Sequence, residues 1–269
     1  MICFPNAKIN LGLNVVNKRP DGYHNIETVF YPIPVKDALE IVSAEELSFT
    51  QTGIRVDAPM EKNLVIKALN LLKTQYKIPP LEIHLLKAIP FGAGLGGGSA
   101  DAAFMLKLLN NFCQLNIHAD ELERIAASIG ADCPFFIRNT PVFASGTGNQ
   151  FEPVDLSLKG YHFCLIKPDV AVSTPEAYSL VSPKAPEISL KEIIRKPVTE
   201  WRNLMINDFE KSVFTKHPVI GQIKESLYQA GAVYASMSGS GSSVFGLFEN
   251  PTHMKEQFSD CFVWEGQLP

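Results

Sequence analysis

Five glycines fall within the seven residues Gly92–Gly98, inside the string PFGAGLGGGSA that spans Pro90–Ala100. Such a run costs backbone entropy on folding, so it makes sense where backbone N–H groups must come close to something. A strand-like run, LEIHLLKAI at 81–89, precedes it. Apolar residues at Ala102, Met105, Leu106, Leu109 and Phe112 follow at helical spacing. Strand, glycine loop and helix start together form an anion site, because the first turn of a helix offers unpaired N–H groups and partial positive charge. A di- or triphosphate suits it, and Ser99 can offer a hydroxyl to a phosphate or to Mg2+. The plain alternative is a flexible surface turn, which leaves the framing residues Pro90 and Leu95 without a reason.

Phosphoryl transfer from such a loop needs a group that handles the acceptor's proton and positive charge near the moving phosphoryl group. Asp132 lies between Gly130 and Pro134, just past a helical pattern, where a short loop can aim a carboxylate into a cleft or cap the next segment. Lys8 and Asn10 share one face of the alternating stretch 8–15, whose other face carries Ile9, Leu11, Leu13 and Val15. A strand lysine is ordinarily solvated. Tyr23 and His24 follow the turn Arg19-Pro20-Asp21-Gly22, where an aromatic ring and an imidazole can stack on a base and read its polar edge, or simply pack a loop. In STPEAY, Thr174 and Tyr178 are spaced as a helix N-cap and its first turn, with Pro175 at the first helical position.

Three phosphate-loop classes fail on the residues. A Walker A loop needs Gly-Lys, and no such pair occurs in the chain. A dinucleotide fingerprint is formally present at Gly92, Gly94 and Gly97, but the acid-tipped strand it requires about 20 residues on is replaced by helical pattern. The protein-kinase strings V-A-I-K, H-R-D and D-F-G are missing. The remaining string, P-x-G-x-G-L-G-G-G-S, resembles the central motif of the GHMP kinase superfamily. PNAKINLGLNV at 5–15, RPDGYHNIETVF at 19–30 and GADCPFF at 130–136 resemble the branch acting on a cytidine-diphosphate-linked methylerythritol. MSGSGSSVFGLF at 237–248 is similar to the superfamily's C-terminal glycine motif. The matches lie in family order along nearly the whole chain.

The resemblance implies an ATP- and Mg2+-dependent kinase of non-mevalonate isoprenoid precursor synthesis that phosphorylates the 2-hydroxyl of that substrate. It places the ATP phosphates on Pro90, Phe91, Gly92, Ala93, Gly94, Leu95, Gly96, Gly97, Gly98, Ser99 and Ala100, the metal at Ser99, and the adenine near Asn63. It implies that Asp132 takes or orients the alcohol proton and that Lys8 pairs with Asp132, keeping it ionised and offsetting phosphoryl charge. Asn10 would bond the alcohol end of the substrate. Tyr23 and His24 would recognise cytosine, with Tyr178 as the other wall and Thr174 beside it. In that branch the loop usually ends Gly-Ser-Ser, whereas here Gly98-Ser99-Ala100 leaves Ser99 as the sole hydroxyl at the helix start.

The elements that must position these groups mix strands and helices irregularly, which predicts an α+β fold rather than repeated βαβ units. Strand patterns occur at 26–35, 38–42, 142–145 and 161–167, and helical ones at 62–76 and 120–129, with Gly130 placed as a C-cap glycine. Ser189–Glu192 fits a capping box, Pro218 a helix start, and VYASM, SGSGSS and VFGLF a strand–turn–strand. The resemblance implies two domains, 1–152 (ribosomal-protein-S5-domain-2-like) and 153–269 (ferredoxin-like α/β sandwich), with the boundary in the polar stretch 145–153. The chain has 269 residues, 46% apolar and 19% charged, with net charge −4, which disfavours a nucleic-acid or membrane face. No run approaches the roughly 20 apolar residues of a membrane span, and MICFPNAKIN lacks a leader pattern, so a cytoplasmic chain is expected; separately, the expectation for its partners is a small-molecule substrate, with the chain a monomer or weak homodimer. Five scattered cysteines suggest free thiols, and six histidines at no ligand spacing argue against zinc. Alternative readings are a GHMP-type kinase for homoserine, a sugar or mevalonate, and a non-catalytic nucleotide-binding protein of the same fold; a dinucleotide oxidoreductase is disfavoured by the missing acid-tipped strand.

Overall fold

The computed structural model describes residues 1–55 and 59–269. In chain order the elements are β1 (Ile2–Cys3), β2 (Asn6–Lys18), β3 (His24–Lys36), β4 (Ala38–Ser43), β5 (Ser48–Gly53), α1 (Leu64–Lys73), β6 (Leu81–Lys87), α2 (Gly97–Phe112), α3 (Ala119–Ala127) and α4 (Phe135–Arg138). Then follow β7 (Val142–Ser145), β8 (Gln150–Pro153), β9 (His162–Lys167), α5 (Thr174–Tyr178), α6 (Leu190–Ile193), α7 (Phe209–Lys216), α8 (Pro218–Gln229), β10 (Tyr234–Met237), β11 (Val244–Phe248) and β12 (Phe262–Gln267).

Contacts divide the chain into two compact units that interleave along the sequence. Unit 1 contains Met1–Lys8, Val35–Phe91 and Gly96–Thr140; unit 2 contains Ile9–Pro34, Gly92–Leu95 and Pro141–Pro269. In unit 1 the strands run in the order β1-β4-β6-β5, with β5 parallel to β6 and the other pairs antiparallel. Alternation along β6 buries Leu81, Ile83, Leu85 and Lys87 on one side. Helices α1 and α2 supply buried Val65, Leu69, Leu72, Met105, Leu106 and Leu109. Asn63 starts α1 as its N-cap, its side chain accepting from the Val65 N–H at 2.9 Å. Ala100 is fully buried, so the loop's departure from Gly-Ser-Ser puts a methyl where an added hydroxyl would need a partner.

Unit 2 contains an antiparallel sheet, β10-β11-β9-β12, and most of the sheet β2-β3-β7-β8. Its core joins Leu13 and Val15 of β2 to Cys164, Ile166, Phe209, Val213, Ile223 and Met237. The polar stretch 145–153 contributes a strand, because β8 pairs antiparallel with β7 from Val142↔Pro153 to Ser145↔Gln150. Two local expectations are corrected. Gly130 is not a left-handed cap: α3 ends on Ser128 in right-handed backbone, and the Gly130 N–H merely continues the helical pattern to the Ala126 carbonyl. The N-cap of α5 is Ser173 rather than Thr174, with its hydroxyl accepting from the Glu176 N–H. Proline tolerates the second helical position as well as the first, so Pro175 left the frame open by one residue. All five cysteines are free thiols.

Candidate active site

In unit 1, β2 opens with Lys8 almost wholly buried, 4% exposed. A solvated strand lysine is therefore ruled out. Its Nζ lies 3.7 Å from Asp132 Oδ2, and the Asp132 side chain keeps 35% of its exposure. Burial draws the Lys8 ammonium below the ordinary lysine value, while the charge and hydrogen bond of Asp132 oppose the drop. Asp132 is not used as a cap: α4 begins after Pro134 with no side-chain cap bond. Its carboxylate is held in a turn with one face toward solvent and a buried cation at its side.

Gly96 links this pair to the glycine loop. It caps α2 in left-handed backbone, φ +69°. A Cβ there would lie 3.0 Å from the Phe136 ring and 3.4 Å from Lys8 Cε. The lysine stem thus runs beside the start of α2. The first backbone bond of α2 runs from the Ala100 N–H to the Gly96 carbonyl, so the N–H groups of Gly97, Gly98 and Ser99 precede the helical ladder. Partial positive charge and a buried ammonium converge on one spot, which suits phosphate. Ser99 sits in this first turn and hydrogen-bonds the Cys133 thiol, which burial holds up at about 11.

A cavity of about 750 Å3 opens in the same unit, with Asn63, Leu64, Lys87, Phe91, Gly98 and Asp101 among its lining. That volume is within the range of small-ligand pockets. Phe91 is 68% exposed at its edge. Asn63 also donates from Nδ2 to Gln51 Oε1 at 3.2 Å, so capping α1 and shaping the cavity are one task. At its base lies a buried ion cluster that the sequence reading did not single out. Lys87 Nζ donates to Asp101 Oδ2 at 2.6 Å and also to Asp37 Oδ2, whose other oxygen accepts the Ala88 and Ile89 N–H groups. Burial depresses Lys87, but its two carboxylates overcome this and raise it. Asp101 is pushed up to about 7 by burial and by Asp37, against the pull of Lys87, and its Oδ1 is buried with no hydrogen-bond partner. Two signals were present: Lys87 continues the buried phase 81, 83, 85 of its strand, and Asp101 falls four residues before Met105 on the apolar helix face.

The sign of the resulting pH effect is fixed. An unfolded Asp titrates near 3.8 and the folded Asp101 near 7, so between these values the folded chain binds the extra proton. Stability from this group is complete below about pH 4 and is lost as pH rises through 7. Replacing Asp101 with Asn keeps a hydrogen-bonding partner for Lys87 and removes the titration. Thermal unfolding from pH 4 to 7.5 should show a flatter Tm slope for Asp101→Asn than for the parent; equal slopes would place the titration in another group.

Unit 2 carries the other candidates. Tyr23 stands 67% exposed after the turn, where its N–H is held by Asp21 Oδ1 at 3.1 Å. His24 begins β3 and stacks on Tyr178 of α5, centroids 4.7 Å apart and planes 21° apart. Tyr178 in turn meets the Phe209 ring edge-on at 4.6 Å. The two rings touch each other, so a base between them would need their separation widened to roughly twice an aromatic stacking distance. Thr174 is the first residue of α5. Asn10 is buried, and its Nδ2 donates to Thr28 Oγ1 at 3.0 Å. Of the loop, Gly92–Leu95 belong to this unit, while Pro90, Phe91 and Gly96–Ala100 belong to unit 1. Among the described residues no three His, Cys, Asp or Glu side chains gather as a metal cluster, and no described helix is long and apolar enough to cross a membrane.

Comparison with known proteins places the chain in a family. Residues 63–140 match the GHMP kinases N terminal domain, and residues 189–261 match GHMP kinases C terminal. The 4-diphosphocytidyl-2-C-methyl-D-erythritol kinase of Parabacteroides distasonis is 80% identical over 270 residues, covering 100% of both chains. Its counterpart in Bacteroides fragilis is 60% identical, covering 98% of this chain and 99% of the relative. A crystal structure of 4-(cytidine 5'-diphospho)-2C-methyl-D-erythritol kinase aligns with TM-score 0.86 at 30% identity, over 100% of this chain and 99% of that one. Methanococcus jannaschii mevalonate kinase shares the fold at TM-score 0.70 and 15% identity, over 100% and 98%. With family models matching the α+β frame in both its N-terminal and C-terminal parts and a full-length relative at 80% identity, the chain belongs to the GHMP kinase family.

Proposed function

We propose that this chain transfers the γ-phosphoryl group of ATP to the 2-hydroxyl of 4-diphosphocytidyl-2-C-methyl-D-erythritol, in non-mevalonate isoprenoid precursor synthesis. The observation that carries the reading is the Lys8–Asp132 pair, 3.7 Å apart, with the lysine stem against Gly96 at the start of α2. The names of the relatives support the substrate.

In this reading the acceptor oxygen attacks the γ-phosphorus, the bond to the β–γ bridging oxygen breaks, and the acceptor's proton passes to Asp132. Lys8 offsets charge on the transferring group, and the N–H groups of Gly97, Gly98 and Ser99 hold phosphate oxygens. The cavity beside Asn63 takes the adenine. Asn10 bonds the alcohol end of the acceptor; Tyr23, His24, Thr174 and Tyr178 take the cytidine end. Residues 1–152 act as the ATP-binding and catalytic domain and 153–269 as the C-terminal one. Mg2+ fits as the companion of the triphosphate, since it keeps phosphate and water ligands and needs few protein oxygens; the Ser99 hydroxyl is the protein oxygen assigned to it. When bound, it neutralises phosphate charge. The protein is read as a cytoplasmic monomer or weak homodimer.

A panel of acceptors with coupled ADP detection tests the reading. Turnover is expected with the cytidine-diphosphate-linked methylerythritol, and homoserine, galactose and mevalonate should give less than about 1% of its kcat/KM, a gap of roughly 3 kcal/mol or more. A preference for homoserine or mevalonate would reassign the substrate, and ATP binding without turnover on any alcohol would make the chain a nucleotide-binding protein.

A further inference from the structure

Within unit 2, the first limb of the glycine loop is seated on a second glycine-containing turn, Ser238–Ser243, which joins β10 to β11. Gly94 has φ +75°, and a Cβ on it would fall 2.0 Å from the Ser238 carbonyl oxygen. The Ser243 N–H donates to the Ala93 carbonyl at 3.3 Å. Ser238 is fully buried, and its hydroxyl has two backbone partners far apart in sequence. It donates to the Gly94 carbonyl at 2.8 Å and accepts from the Asn10 N–H at 3.2 Å. One side chain therefore ties the phosphate loop to β2 at the residue assigned to the acceptor alcohol.

The turn is itself fixed from several sides. The Ser238 N–H donates to the Ser243 carbonyl at 2.9 Å, and the Gly241 N–H donates back to the Ser238 carbonyl at 3.0 Å. Asn207, also buried, donates from Nδ2 to the carbonyls on both sides of Ser238, those of Met237 and Gly239, each at 2.8 Å. Its Oδ1 accepts from the Phe209 N–H at the start of α7. An arrangement that serves only to close a β-turn would not need a hydroxyl aimed at two other segments.

We propose that Ser238 is a positioning residue that sets the phosphoryl donor's loop against the acceptor's strand, with Asn207 holding it in place. The inference rests on the kinase reading. In-line transfer is steep in alignment, and a displacement of about 1 Å can cost about 100-fold in rate. Losing this link should slow transfer and let water compete for the γ-phosphoryl group while both ligands still bind.

The test uses the full chain with Ser238→Ala and Ser238→Cys, the second keeping volume with a weaker donor. Steady-state turnover, the ratio of ADP formed to phosphorylated alcohol formed, and calorimetric binding of ATP and acceptor are measured. In Ser238→Ala, kcat should fall about 10- to 100-fold with binding constants held within a few-fold. The ADP-to-product ratio should rise above the parent's one to one. Ser238→Cys should lie between, and serves alone if the alanine variant does not fold. A parent-like kcat and one-to-one ratio in the folded variants, cysteine included, overturn the role of Ser238. A parent with no phosphotransfer to any alcohol rejects the kinase reading, and this role with it.

Discussion

Replacing Asp132 with Asn should lower kcat by about 100- to 10,000-fold, the span of a lost general acid–base group, and leave the ATP dissociation constant within a few-fold. Asparagine has the size of the carboxylate but cannot take the alcohol proton. Asp132 caps no helix and is one-third exposed, so packing is not the reason for the loss. The pair adds a signature that a structural role would not produce. Asp132 opposes the burial-driven drop of Lys8, so without its charge the lysine loses its proton at lower pH. The alkaline limb of the kcat–pH profile, where Lys8 becomes neutral, should therefore move to lower pH in Asp132→Asn. Lys8→Met, which keeps the stem beside Gly96, should lose turnover as well, and the double variant should be little worse than the poorer single one, as groups acting as a unit behave. Near-parent turnover in Asp132→Asn would remove the residue from the chemistry.

Gly94→Ala should weaken ATP binding. The added Cβ would meet the Ser238 carbonyl oxygen at 2.0 Å and its carbon at 2.8 Å, and the residue would still need φ +75°. Both neighbours are backbone held by further hydrogen bonds, so the loop must move instead. An increase of at least about tenfold in the ATP dissociation constant is expected, with a stability loss of a few kcal/mol from strain. Gly92→Ala is the control: it also has positive φ, +61°, but an added Cβ meets nothing within 4 Å. It should show only the left-handed cost, about 1–2 kcal/mol. Calorimetric titration with ATP and thermal unfolding distinguish the two; equal effects would refute the clash.

The contrast between those glycines shows what a sequence can and cannot reveal. That Gly92–Gly98 opens a helix was legible, because glycine density, the preceding strand and the following apolar period agree. Which glycine is irreplaceable was not, since the reason at Gly94 is Ser238, some 140 residues away in the chain. The alternation of β2 placed Lys8 and Asn10 on one face, but not its depth: both faces are buried, which turns a nominally solvated lysine into a desolvated one. Lys87, Asp37 and Asp101 went unread because each sits in an otherwise apolar pattern, and only strand pairing and the start of α2 bring them together. The short polar strands β5 and β8 carry little hydrophobic pattern of their own and form by pairing with β6 and β7. Thr174 and Ser173 compete for one cap, a one-residue ambiguity that composition does not resolve. Tyr178 is expected across a cytosine ring from His24, whereas the two rings stack directly on each other, a contact that no spacing in the sequence signals.

The most direct measurement follows the phosphorus. The chain is incubated with ATP and 4-diphosphocytidyl-2-C-methyl-D-erythritol, and phosphorus NMR is recorded as ADP accumulates. One new phosphomonoester resonance, coupled to no other phosphorus, should grow in step with ADP while the cytidine diphosphate signals persist. Inorganic phosphate in place of that resonance, or a spectrum unchanged beside intact ATP, would contradict transfer to the 2-hydroxyl.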